Sequence, residues 1–158
     1  MSFAEEEQQH LTAAQGYLEL GMPLDADAEL DLIDPFCRHL PEVLALRAQV
    51  YRLLEKWELM RTVAKRLVDY DSDNIQWTAW LAFSTRRAVS IESAKAILLE
   101  AVERHPEAAI FHYNLACYEC VLGDVEVAKA RLQHCFKLDP QFRKPALDDP
   151  DLKAIWTP

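Results

Sequence analysis

The sequence predicts an all-α fold of antiparallel helix pairs, and three observations predict it. A 34-residue pattern recurs four times, small residues fall in register within it, and no run of alternating β-branched residues marks a sheet. The pattern is clearest in residues 109–140, AIFHYNLACYECVLGDVEVAKARLQHCFKLDP, which read as two amphipathic helices joined at Gly123.

With the first place of each copy set at Glu7, Pro41, Ile75 and Ala109, the eighth place holds Ala14, Ala48, Ala82 and Ala116. A small side chain there lets one helix approach its partner closely, toward the short end of the roughly 8–10 Å range for packed helices. The twentieth place holds Ala26, Met60, Ala94 and Ala128, and the twenty-fourth Leu30, Ala64, Leu98 and Leu132. The twenty-seventh holds Ile33, Leu67, Ala101 and Cys135. These spacings place the apolar residues on one face of each helix.

The fourth copy carries Tyr113-Asn114-Leu115-Ala116, Gly123-Asp124, Ala128, Leu132 and Pro140, and the third Leu81, Ala82, Ala94, Ala101 and Pro106. On these residues the chain resembles the tetratricopeptide repeat family, over residues 7–142. It departs from the family pattern at Arg47, Met60, Arg38 and Ser72, and lacks the tryptophan usual at place four. The resemblance implies a right-handed superhelix of antiparallel helix pairs, an α-α solenoid. It implies a single domain over 1–158, with repeats at about 7–40, 41–74, 75–108 and 109–142 and a capping tail at 143–158.

In chain order, residues 5–20 form the first helix, with Leu11, Ala14, Tyr17 and Leu18 inward, and Gly21 ends it. Pro23 opens the second, which turns Asp25, Asp27, Glu29 and Asp31 mostly outward. That acid run reads as a solvated face, because a calcium loop needs a glycine and a regular ligand spacing that are missing here. Residues 34–41 make a break bracketed by two prolines, and Pro41 opens the third helix. The next turn, Glu55-Lys56-Trp57, has neither glycine nor proline. The second copy is basic, at Arg47, Arg52, Lys56, Arg61, Lys65 and Arg66. These cations are expected to pair with the acids of the first copy; the rival reading is a partner surface. Asp73 with Gln76 reads as a capping box, and Ser90 as the cap of residues 91–104. Asp149 and Pro150 open a short helix to Trp156, expected to lay Leu152, Ile155 and Trp156 over the last repeat, since stacked repeats need a terminal cover.

The 158 residues suffice for one compact core, and 51% are hydrophobic. A net charge of −9 argues against nucleic acid, which requires a basic face. No apolar run reaches membrane-spanning length, and the acidic N-terminus MSFAEEEQQHL lacks the order of a secretory signal. A cytoplasmic protein is the expectation, and four cysteines suit a reducing compartment.

Cys117-Tyr118-Glu119-Cys120, with His134 and Cys135, raises a metal or redox reading. The cysteines sit in mid-helix, away from the N-terminal dipole that activates a thiol, and Cys135 occupies a core place. Small buried hydrophobes are the better account, so neither a metal nor a cofactor is expected. There is no phosphate loop, nucleophile elbow or His-Glu-x-x-His, and the five histidines are scattered, so no catalytic residue is assigned.

The resemblance implies peptide binding in a concave groove lined by the first helix of each pair. The groove places give Gln15, Gln49, Arg52, Phe83, Arg86 and Tyr113 as candidate partner-binding residues. Arg52 and Arg86 share the twelfth place, where guanidinium groups hold carboxylates, while Phe83 and Tyr113 supply apolar contact. The chain departs from the family's carboxylate clamp, with Leu11, Gln15, Leu46, Gln76 and Trp80 in the clamp places. The expected function is a non-enzymatic scaffold for a protein or peptide partner. The alternatives are a secretion-type chaperone that self-associates, a homodimer being one expected partnership, and a small cysteine-based metal or redox protein.

Overall fold

Small residues at fixed places, and a left-handed residue at three of the turns within helix pairs, dictate the architecture. The computed structural model describes residues 3–157, and these contain helices and no strand. The chain divides into two compact units, Met1–Ala88 and Val89–Pro158. The expected all-α class of paired consecutive helices is what the structure has.

The first unit holds α1 (Glu5–Glu19), α2 (Pro23–Leu32), α3 (Pro41–Leu53), α4 (Trp57–Tyr70) and α5 (Ile75–Ala88), each packed on the next. Its core joins Leu11, Ala14, Leu18, Leu30, Val43 and Val50, with Leu44, Ala48 and Leu67 forming a second cluster beside Trp77 and Trp80. The second unit holds α6 (Ile91–Arg104), α7 (Ala109–Val121), α8 (Val125–Leu138), α9 (Arg143–Asp148) and α10 (Lys153–Trp156). Its core is centred on Phe111, Leu115, Leu98 and Leu132, all essentially removed from solvent. Each such side chain stabilises the fold by about 1.5–3 kcal/mol.

The register matches the sequence pattern. The second helices begin at Pro23, Trp57, Ile91 and Val125, 34 residues apart. Ala14, Ala48, Ala82 and Ala116 each have 0% exposure, so the eighth place lies wholly inside. The twentieth and twenty-seventh places are buried in all four copies too.

Three turns close with the same bonds. The Met22 N–H donates to Tyr17 O, Lys56 to Tyr51 and Asp124 to Glu119, each at 2.8 Å. A second bond runs from Gly21 to Leu18, Glu55 to Arg52 and Gly123 to Cys120. This is the Schellman closure, which needs a left-handed residue just past the helix. Gly21 (φ 69°) and Gly123 (φ 96°) supply it as expected, and Glu55 supplies it unaided at φ 55°. In the third copy that place is Val89, whose β-branched side chain disfavours the conformation and which does not adopt it.

Side chains finish the helix ends. Arg38 donates to the carbonyls of Ile33 and Asp31, setting a cation at the C-terminus of α2. Ser90 accepts from Ser93 N–H at 3.0 Å, as expected. The cap of α5 differs from the expected Asp73–Gln76 box: Asn74 accepts from Trp77 N–H at 3.0 Å, one residue further on. The expected tail helix forms behind Asp149, which accepts from Asp151 N–H. Leu152 is fully buried. Trp156 is 43% exposed and its indole donates to Ala146 O, tying α10 to α9, while α10 also packs on α8.

Candidate functional site

The first unit carries an open groove along α1 and α3. It encloses about 1290 Å³ between the N-terminal parts of the two helices. Leu11 of α1 and Leu46 of α3 line it, and both continue into the core. Gln8, Gln15, Glu5 and Glu42 also line it, so the lining combines apolar, carboxamide and acidic groups. Gln15 is exposed and spans one helical turn to Glu19 at 3.1 Å. Gln49 is half-buried, its amide nitrogen 3.5 Å from Ala45 O.

A cation–aromatic cluster occupies the C-terminal ends of α3 and α5 and the start of α4. The Arg52 guanidinium lies 5.3 Å from the Phe83 ring centre. Arg87 lies 3.7 Å from the same ring and 4.9 Å from the Trp57 ring. Trp57 meets Phe83 edge to face, with centroids 5.7 Å apart. Each cation–ring contact at such a site stabilises by about 0.5–1 kcal/mol, and Arg87 also donates from Nη1 to the Phe83 carbonyl at 3.2 Å. Arg86 is half-buried on the same helix. Arg87 was missed at the sequence level, although its spacing of four from Phe83 put the two on one helix face.

The basic second copy is partly spoken for. Arg47 pairs with both Asp27 and Asp31 of α2, as the pairing reading expected. Burial opposes the Arg47 charge, but hydrogen bonding to Asp31 and the fields of both carboxylates outweigh it and raise the pKa. Arg47 therefore serves the fold.

Tyr113 is placed differently from the expected groove contact. It lies in the second unit, is 8% exposed, and donates to Asp149 Oδ2 at 2.8 Å. Phe142 covers it, with ring centroids 5.0 Å apart. Burial, then the bond to Asp149, push its pKa up, so the phenol stays a donor. Tyr113 thus anchors the tail and offers no ring at the surface.

Cys117 meets carboxylates. Its Sγ and carboxylate oxygens of Asp149 and Asp151 lie within 4.8 Å of one another. Asp149 already accepts from Tyr113 and from Asp151 N–H, and Cys117 Sγ is 3.7 Å from it, so the group reads as tail anchorage. Burial raises the Cys120 thiol, and burial with Asp139 raises Cys135 to about 11. Both remain thiols near neutral pH, whereas ligation and redox attack need thiolates.

The second unit's most buried polar feature also escaped the sequence reading. Glu119 is 1% exposed on α7, and Arg131 of α8 grips it in bidentate fashion at 2.8–3.0 Å.

The fold so defined is an all-helical array of helix pairs with a groove along the first helices of its N-terminal unit. No family model and no curated protein matches the sequence. Solved structures do match the fold. The structure titled "MamA 41-end from Desulfovibrio magneticus RS-1" aligns with a TM-score of 0.75 at 17% identity, covering 98% of this chain and 91% of that one. "MamA MSR-1 C2" aligns with a TM-score of 0.71 at 15% identity, covering 85% and 78%. Identities this low establish similarity of fold.

Proposed function

We propose that the chain is a non-enzymatic protein-interaction module of tetratricopeptide type, which takes a segment of a partner along the first helices of its N-terminal unit. The observation that carries this reading is the groove between α1 and α3. At about 1290 Å³ it exceeds the usual 300–1,000 Å³ of small-molecule pockets, and it is open along its length. Its apolar lining suits side chains of a helix or extended strand, and its carboxamides suit backbone donors and acceptors. Gln15 and Gln49 would bond the segment. Arg52, Phe83 and Arg86, with Arg87, would meet a carboxylate-bearing end through guanidinium edges.

The test is selection of peptides on the 158-residue chain from a random library, followed by titration. Glu42→Lys in the groove and the triple change Arg52→Ala, Phe83→Ala, Arg86→Ala should each weaken selected peptides about tenfold or more at unchanged helicity. Peptides indifferent to both changes would overturn the reading.

A further inference from the structure

The outward line of α2 breaks the pattern of its three counterparts. Places eighteen, twenty-two and twenty-six lie one turn apart and face solvent in every second helix. On α4 they hold Glu58, Thr62 and Arg66; on α6, Glu92, Ala96 and Glu100; on α8, Glu126, Ala130 and His134. On α2 they hold Leu24, Ala28 and Leu32. Leu24 is 68% and Leu32 64% exposed, and Leu20 (73%) and Phe36 (85%) flank the helix at its two ends. Isolated surface leucines need no explanation, but a line of them where all three counterparts carry polar or charged side chains at both ends marks an interaction surface.

The charge around the line selects the occupant. Residues 5–34 contain nine acidic residues and no lysine or arginine. Asp25 stands beside Leu24, Asp31 beside Leu32 and Asp34 just past the helix, all exposed. Arg47 offsets Asp27 and Asp31 from the inner side, which leaves Asp25 and Asp34 facing outward without a cation among the ion pairs of the described residues. A second copy of this face would bring acid against acid across a two-fold interface, so self-association here is disfavoured. From Leu24 to Leu32 the line runs about 12 Å, roughly two turns. We propose that the outer face of α2 docks a cationic amphipathic helix of a protein partner, with leucine-type residues on Leu24, Ala28 and Leu32 and lysine or arginine opposite Asp25 and Asp34. This surface is separate from the groove between α1 and α3.

The probe is a synthetic helix of about four turns built of leucine and lysine at amphipathic spacing, with a leucine–glutamate helix as its counterpart. Binding to the chain is read by fluorescence anisotropy and located by amide chemical-shift changes. The variant Leu24→Glu, Leu32→Arg installs the residues of α4 at the same places, so it should fold, which thermal melting checks. The leucine–lysine helix should bind, shift α2 amides, weaken with salt, and lose about tenfold or more in affinity for the variant. The leucine–glutamate helix should not bind. Binding that the variant leaves unchanged, or that leaves α2 amides unmoved, overturns the proposal. So does self-association of the parent chain that the variant abolishes, which would give the face to a second copy. Peptides selected for the groove should bind the variant and the parent equally, which separates failure here from failure of the groove reading.

Discussion

The first and fourth helix pairs, α1/α2 and α7/α8, share a backbone and differ in what their variable places carry. Both close through a 2.8 Å bond across the turn, both turn on a left-handed glycine, and both bury alanine at the eighth and twentieth places. At the eleventh and twenty-third places they part. The first pair has Tyr17 and Glu29, and Glu29 meets His10 at 2.8 Å with about a quarter of its side chain exposed. The fourth has Glu119 and Arg131, a bidentate pair whose carboxylate is 2% exposed at the side chain. The outward lines differ as well, apolar on α2 and polar at both ends on α8. Backbone register rests on a few small residues and the turn, which frees the other places to hold a buried ion pair in one copy and a docking line in another.

The sharpest way to break this comparison is to remove one ion from each pair. Arg131→Ala leaves Glu119 buried without its cation and should cost about 3–5 kcal/mol. Glu29→Ala removes a partly solvated partner and should cost less than about 1 kcal/mol. Urea unfolding monitored by helicity reads both. Equal costs would mean that the buried pair has no special standing. Replacing Glu119 and Arg131 together by leucine and methionine should come close to neutral, because the penalty lies in the orphaned charge.

Next in size come the shared small places. Ala14→Leu and Ala116→Leu each push bulk into a site with no exposure and should cost about 1–3 kcal/mol. Similar losses in the two pairs would support one packing rule, while a tolerant Ala14 would show that the first pair yields more readily. Smaller again are the turns. No atom lies within 4 Å of a Cβ built on Gly21 or Gly123, so Gly→Ala at either is purely conformational and should cost about 1 kcal/mol. Glu55→Gly carries the opposite sign and should stabilise by a few tenths to about 1 kcal/mol, since glycine relieves the same strain.

The period and interior of the fold were legible because they repeat. Four alanines in register carry more information than any one of them, and all four proved buried. What did not repeat was hard to read. Glu119 and Arg131 stand 12 residues apart across a turn, and Glu119 sat inside a Cys-x-x-Cys frame that drew attention to sulfur. Tyr113 matched a groove place, yet Asp149 returns to it from 36 residues downstream, a contact with no local signature. The Asn74 cap was one residue from the box assigned to Asp73, since either side chain suits the position. Arg52 and Phe83 were named for a groove and were found stacked on each other, with Arg87 added.

The smallest expected effect concerns protons in the fourth pair. His112 is 7% exposed on α7, and its Nε2 lies 2.7 Å from Pro106 O, so Nε2 carries the hydrogen and donates. Its buried Nδ1 has no partner among the described residues, and His134 of α8 stands edge to face at 4.6 Å. Burial lowers the His112 pKa most, His134 and Arg131 lower it further, and the Pro106 carbonyl and Glu119 oppose this. A histidine whose folded pKa is depressed binds fewer protons than the unfolded chain, whose histidines titrate near 6.5. His112 therefore costs nothing at pH 8, and stability falls as pH drops below about 6.5 toward its lower folded value. The urea midpoint should fall more steeply from pH 8 to pH 5.5 for the parent than for His112→Gln. A parent slope matching that of His112→Gln would mean that the buried imidazole accepts its proton as readily as a solvated one.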